Sequence, residues 1–178
     1  MSTPGQTPIP DSYWVHPGRF LAGEYPGSPY DEEARRRLCR LLEAGITLFL
    51  DLTEEGEYGL RPYVPLLLEE AEAMGRSVAH RRMSIPDMDT PAPEEMVRIL
   101  EAIDAALEAG QTVYVHCYGG IGRTGTVVGC YLARHGMSGT DALREIARLR
   151  QGTPDGWVRS PQTRAQCEMV RNWPAGKK

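Results

Sequence analysis

Five residues separate Cys117 from Arg123 in YVHCYGGIGRTG, residues 114–125, and three of the five are glycines. A short apolar run ends at His116, and helix-forming sequence starts near Arg123. The order strand, glycine-rich loop, helix is that of an anion-binding nest. The first N–H groups of a helix have no internal partner, and the helix dipole is positive there. A loop of inward-facing amides adds further donors, so Tyr118, Gly119, Gly120, Ile121 and Gly122 are read as a cradle for a phosphate or sulfate. The same field favours a thiolate over a thiol, with cysteine pKa values falling to roughly 3.5–7.5 in such settings. A thiolate facing a bound phosphate suits covalent in-line attack on phosphorus. The planar fork of Arg123 can grip two phosphate oxygens. The Thr124 hydroxyl is expected to hydrogen-bond to the sulfur and aid its departure, and His116 to fix the loop from behind. The lysine of the nucleotide-binding GxxxxGK(S/T) loop is missing.

A cysteinyl-phosphate route needs a proton donor for the leaving oxygen and later a base for water, and one carboxyl group can serve as both. Asp87 and Asp89, in the loop SIPDMDTP, are the candidates. Asp87, directly after Pro86, is the first choice for the acid, and Asp89 has a ready alternative in turn chemistry with Thr90 and Pro91.

HCYGGIGRT matches the HCxxxxxR(S/T) signature and resembles the cysteine-dependent protein tyrosine phosphatase superfamily. It looks most like the small dual-specificity-type members, including the cyclin-dependent-kinase-inhibitor-associated phosphatases. The resemblance implies a central mixed, mostly parallel sheet flanked by helices, and a general acid on a mobile loop well upstream of the cysteine. Asp87 precedes Cys117 by thirty residues, similar to the small members. The resemblance further implies no metal and no organic cofactor. In SPQTRAQ, residues 160–166, the spacing of Gln162, Thr163 and Gln166 is similar to a QTxxQ loop of tyrosine phosphatases that positions the hydrolytic water. Gln162 is given that role here, beside a plain reading of Ser160 as helix N-cap with Pro161 in the first turn. Cys130 could pair with Cys117 under oxidation, as in some relatives, but its place in VVGCYLARHG fits a core residue better.

These groups need a scaffold. The 178 residues suit one domain, and 41% apolar with 25% charged residues is the balance of a soluble globular chain. Residues 1–12 read as a flexible leader, 13–172 as the catalytic domain and 173–178 as a tail. Strand-like pieces at 13–25, 46–52, 77–85 and 112–117 alternate with helical stretches at 31–44, 62–74, 93–109, 123–135, 139–150 and 161–172. That alternation predicts an α/β fold with a mostly parallel sheet covered on both faces. Arg81 and Arg82 end a strand near the acid loop, where they could meet an anionic substrate or be solvated. DLTEEGE, residues 51–57, reads as a surface acidic loop that could instead line the cleft.

The net charge of −4 predicts neither a nucleic-acid nor a membrane partner. Cys39, Cys117, Cys130 and Cys167 lack CxxC and zinc-site spacing. There is no secretory signal pattern and no apolar run near the roughly 18 residues that span a bilayer. The expected protein is cytoplasmic, monomeric and thiol-reduced, with a phosphorylated protein as substrate. The cradle residues carry no basic side chain, which speaks against a polyphosphoinositide and for phosphotyrosine, with or without phosphoserine and phosphothreonine. A non-protein phosphate ester, a non-catalytic phosphoprotein-binding module, and arsenate reduction or sulfur transfer are the alternatives.

Overall fold

The computed structural model describes residues 7–176. Five strands, β1 (Ser12–His16), β2 (Phe20–Gly23), β3 (Leu48–Asp51), β4 (Ala79–Arg82) and β5 (Val113–His116), form one sheet in the order β1-β2-β5-β3-β4. β1 pairs with β2 antiparallel around a turn at Gly18, and every other pairing is parallel. Six helices accompany them: α1 (Asp31–Glu43), α2 (Val64–Ala73), α3 (Pro93–Glu108), α4 (Gly122–Arg134), α5 (Gly139–Leu149) and α6 (Arg164–Asn172).

Successive strand side chains point to opposite faces, and here each face has its own core. Phe20, Ala22, Leu50, Val113 and Val115 join the apolar residues of α3, α4, α5 and α6. Leu21, Phe49 and Tyr114, one residue out of phase, join those of α1 and α2. β2, β3 and β5 are therefore buried on both sides and read as continuous apolar runs, as parallel strands do, whereas β4 at the sheet edge is mostly exposed. Each fully buried aliphatic or aromatic side chain contributes about 1.5–3 kcal/mol.

α4 is buried along its whole length, with α3, α5 and α6 packed around it. Gly129 permits this: a Cβ there would lie 2.6 Å from the Val170 methyl groups of α6. The register puts Gly23, His116 and Asp51 side by side at the carboxyl ends of β2, β5 and β3, with Arg82 next to Asp51. In an open parallel sheet this edge is where ligands bind.

The expected boundaries shift in three places. The leader ends sooner than residue 12 among the described residues, because Ile9 is buried in the α1–α2 core and Ser12 opens β1; residues 1–6 lie outside them. Trp173, assigned to the tail, packs against the core shared by α3, α4, α5 and α6, and residues 177–178 of that tail lie outside the described residues. α6 starts at Arg164 with Thr163 as its cap, not at Pro161 with Ser160. No helix among the described residues is long and apolar enough to cross a membrane.

Candidate active site

β5 delivers His116 to the sheet edge, and residues 117–121 curl back before α4 begins at Gly122. The curl depends on Gly120, whose φ is +72° and whose Cβ would come 2.4 Å from the Gly23 carbonyl carbon. A side chain is excluded there by both the backbone angle and the neighbouring strand end. The Gly120 N–H donates to Cys117 Sγ at 3.3 Å, so a loop amide faces the sulfur. Two further bonds fix the loop: the Tyr25 N–H donates to Tyr118 O at 2.8 Å, and Ser160 Oγ to Ile121 O at 2.6 Å.

His116 anchors the loop from below. Its Nδ1 lies 3.1 Å from Cys117 O, which can only accept, so Nδ1 carries the proton. Nε2 then accepts from the Tyr63 hydroxyl at 2.7 Å. Burial holds His116 below the usual histidine range, against the pull of nearby Asp51, and the ring is neutral. Asp51 is itself fully buried and accepts from the Thr53 N–H and hydroxyl at 2.9 and 2.6 Å. His80 and Arg82 reach it at 3.2 Å. Burial opposes its charge, yet the hydrogen bonds from His80 and Thr53 keep its carboxyl well below the usual carboxylate range. Arg82 thus points one terminal nitrogen at Asp51, with its side chain one-third exposed.

Arg123 is 1% exposed. Its Nη2 and Nη1 meet Glu57 Oε1 and Oε2 at 2.6 and 2.7 Å, a bidentate pair. Nη1 also donates to Ile85 O at 2.9 Å, and Nη2 lies 3.1 Å from Asp87 Oδ1. Burial works against its charge, but Glu57, Cys117 and Asp87 outweigh that and raise its pKa. Nε is buried and finds no acceptor among the described residues.

Asp87 also accepts from the Tyr58 hydroxyl, Oη to Oδ2 at 2.5 Å. The Asp89 carboxylate instead accepts the Thr90 N–H at 2.8 Å, in the turn that opens toward α3. Of the two candidate acids, the fold brings Asp87 to Arg123 and leaves Asp89 at the surface.

Thr124 departs from expectation. Its hydroxyl is directed to Gly23 O at 3.4 Å, tying α4 to the end of β2, and not to the sulfur. Gln162 is exposed beside the start of α4: a Cβ on Gly122 would sit 2.6 Å from its Oε1. Gln166 is buried and holds three groups. Its Oε1 accepts from the N–H groups of Gln162 and Thr163, and its Nε2 donates to Asp89 O, each at 3.1 Å. One side chain thus links the Gln162 loop to the acid loop.

Sequence reasoning preferred a surface acidic loop for 51–57 over one that lines the cleft and gave Tyr58 no role, whereas Glu57 and Tyr58 both reach the site. The correction is physical: Asp51 is fully buried, and the Glu57 side chain is 6% exposed because it neutralises buried Arg123. The available signal was the turn sequence GEYG, with glycines on both sides of an acidic and an aromatic residue. Tyr58 and Tyr118 lie with ring centroids 5.6 Å apart, both exposed. They line a groove of about 660 Å³ together with Gly119, Tyr25, Pro29, Arg37 and Arg61. Cys39, Cys117, Cys130 and Cys167 are free. Burial among apolar groups pushes the Cys130 thiol up, as befits an inert core residue. Among the described residues no group of three or more His, Cys, Asp or Glu side chains is gathered to hold a metal.

Comparison with known proteins agrees with this architecture. Dual specificity protein phosphatase CDC14B of Mus musculus is 41% identical over 83 residues, which cover 47% of this chain and 16% of that protein. Cyclin-dependent kinase inhibitor 3 of Rattus norvegicus is 30% identical over 138 residues, 71% of this chain and 62% of that one. The chain thus spans less than two thirds of these relatives. The crystal structure of Tk-PTP in its active form superposes with a TM-score of 0.69 at 27% identity, covering 92% of this chain and 96% of that one. Kinase associated phosphatase, solved with its catalytic cysteine replaced by serine, gives 0.70 at 21% identity over 96% and 94% of the two chains. The family model described as PTP-SAK, Swiss Army Knife protein, DSP-PTPase phosphatase domain, matches residues 10–173, and the chain belongs to this family of dual-specificity-type phosphatase domains.

Proposed function

We propose that the protein hydrolyses phosphate monoesters on proteins, phosphotyrosine first and phosphoserine or phosphothreonine with it, through a cysteinyl-phosphate intermediate. The observation that carries this reading is the state of Arg123. Its two terminal nitrogens are engaged by Glu57, Ile85 and Asp87, while Nε stays buried without an acceptor beside a loop whose Gly120 amide faces Cys117 Sγ. A buried donor left unpaired costs about 1–3 kcal/mol. A phosphoryl group seated in the loop removes that cost and accepts the loop amides as well.

The steps follow from the groups present. The Cys117 thiolate attacks phosphorus, the S–P bond forms, and the P–O bond to the leaving group breaks. Protonated Asp87 gives its proton to the leaving oxygen. Water, oriented by Gln162, then attacks phosphorus while the Asp87 carboxylate takes its proton. The S–P bond breaks, inorganic phosphate leaves, and the thiolate returns. Arg123 holds the equatorial oxygens throughout, and Glu57 keeps its fork in plane.

The Tyr58 and Tyr118 rings, which line the groove beside Gly119, suit an aromatic leaving group. One structural neighbour, PTPMT1, was solved in complex with PI(5)P, so a lipid arm belongs in the test. Purified protein is offered a phosphotyrosine peptide, a phosphothreonine peptide and phosphoinositide micelles, with chelator present and Cys117→Ser beside it. Phosphate release from the phosphotyrosine peptide, lost in Cys117→Ser, is the expected result. Release from the lipid alone overturns the protein-substrate reading. No release from any arm, with Cys117→Ser still capturing a phosphopeptide, replaces the enzyme by a binding module.

A further inference from the structure

Asp87 sits on a loop in which the next residue, Met88, has a left-handed φ of +63°. Its carboxylate has two polar contacts among the described residues, Arg123 Nη2 on Oδ1 and the Tyr58 hydroxyl on Oδ2. A phosphoryl group entering the loop competes for Arg123. The Tyr58 contact is then the one that substrate does not displace. With Oδ2 held by Tyr58, Oδ1 is freed to carry the proton and face the leaving oxygen.

Tyr58 is placed for this at a cost. In the turn at residues 56–59, Gly56, Tyr58 and Gly59 have φ of 74°, 50° and 65°, and Tyr58 is the one with a side chain to strain. Burial does not explain the conformation, since Tyr58 is 69% exposed. What the strained turn does is send neighbouring side chains to the two halves of one site: Glu57 to Arg123 and Tyr58 to Asp87. The phenol holds its proton more tightly than an ordinary tyrosine because it donates to the Asp87 carboxylate.

We propose that Tyr58 is a positioning residue for leaving-group protonation: its hydroxyl anchors Asp87 Oδ2 so that the other carboxyl oxygen is aimed at the ester oxygen. This rests on the cysteinyl-phosphate reading with Asp87 as the acid. Tyr58→Phe removes the hydroxyl and keeps the exposed ring, so the melting temperature stays near that of the parent.

The test compares two leaving groups. p-Nitrophenolate departs without a proton, whereas phenolate needs one. Tyr58→Phe should lower kcat for phenyl phosphate about tenfold, part of the roughly 10²–10⁴ that general acid catalysis supplies, and leave p-nitrophenyl phosphate within about twofold. KM should stay within about twofold for both, as expected for an interaction that matters only in the transition state. Asp87→Asn, run in parallel, should show the same selectivity more strongly, and adding Tyr58→Phe to it should change nothing further. Equal losses on both esters, or no loss on either, overturn the role of Tyr58 while the Asp87 result stands. If Asp87→Asn itself fails to distinguish the two esters, the acid assignment falls and the Tyr58 proposal falls with it.

Discussion

Glu57 meets Arg123 with both carboxylate oxygens, at 2.6 and 2.7 Å, across 66 residues of sequence. The pair is almost fully shielded, with side-chain exposures of 1% for Arg123 and 6% for Glu57. Breaking a buried pair from one side leaves the other charge uncompensated, which costs about 3 kcal/mol or more. Glu57→Gln should therefore lower the unfolding free energy read from urea melts by an amount of that order. It should also lower kcat/KM on the order of 10²-fold, because a misplaced guanidinium no longer matches the transition state. Saturating vanadate should restore part of the lost stability, since a bound oxyanion replaces the missing charge. Equal stability of variant and parent contradicts the buried pairing.

Gly120 is a test of the loop geometry alone. Gly120→Ala would put a Cβ 2.4 Å from the Gly23 carbonyl carbon at a φ of +72°. The loop must move, and a shift near 1 Å costs on the order of 10²-fold in rate. Steady-state kinetics of the folded variant checks this, and near-parent activity means the loop tolerates a shape the structure does not have.

Stability should fall on the acid side in two stages. Burial keeps His116 neutral, so its folded pKa lies below the value of about 6.5 in an unfolded chain. A depressed folded pKa contributes stability that is complete above the unfolded value and is lost as pH falls from there through the folded one. Asp51 has the same sign, with an unfolded value of about 3.9, so its contribution is lost only below that pH. Urea midpoints from pH 8 to pH 3 should therefore decline first below about 6.5 and more steeply below about 4. Asp51→Asn should be less stable at neutral pH and lack the second decline. A flat profile between pH 7 and pH 5 contradicts the neutral, buried state of His116.

Gln166 predicts a coupled loss. It supports the backbone of Gln162 and of Asp89 at once. Gln166→Ala should slow both phosphoenzyme formation and its hydrolysis, whereas Gln162→Ala should slow hydrolysis alone and enlarge the burst of leaving group. Rapid-quench kinetics separates the two. A normal burst in Gln162→Ala removes that residue from water positioning.

The sequence carried the parts of the site that are local. Residues 114–125 display the strand, the loop and the helix start in one stretch, and the paired apolar runs of β2, β3 and β5 announce a sheet buried on both faces. What it hid was pairing at a distance. Glu57 lies 66 residues from its partner, and the glycines around it mark a turn without telling that this turn aims it inward to Arg123. The same holds for Tyr58. At α6 the sequence was read with Ser160 as the cap. The structure uses Thr163 with Gln166 three residues on, a reciprocal capping box, and spends Ser160 on the phosphate loop. Thr124 was read from its neighbour in sequence, Arg123, but its hydroxyl is directed to a strand end 101 residues away.

The most direct test of the central claim is to trap the intermediate. The protein is mixed with a phosphotyrosine peptide, quenched in acid within the first turnover, and measured as an intact mass, then as peptides. The expected result is a gain of one phosphoryl group, mapped to Cys117, larger in Gln162→Ala and absent in Cys117→Ser. Phosphate release at the parent rate with no mass gain, or retained by Cys117→Ser, contradicts it.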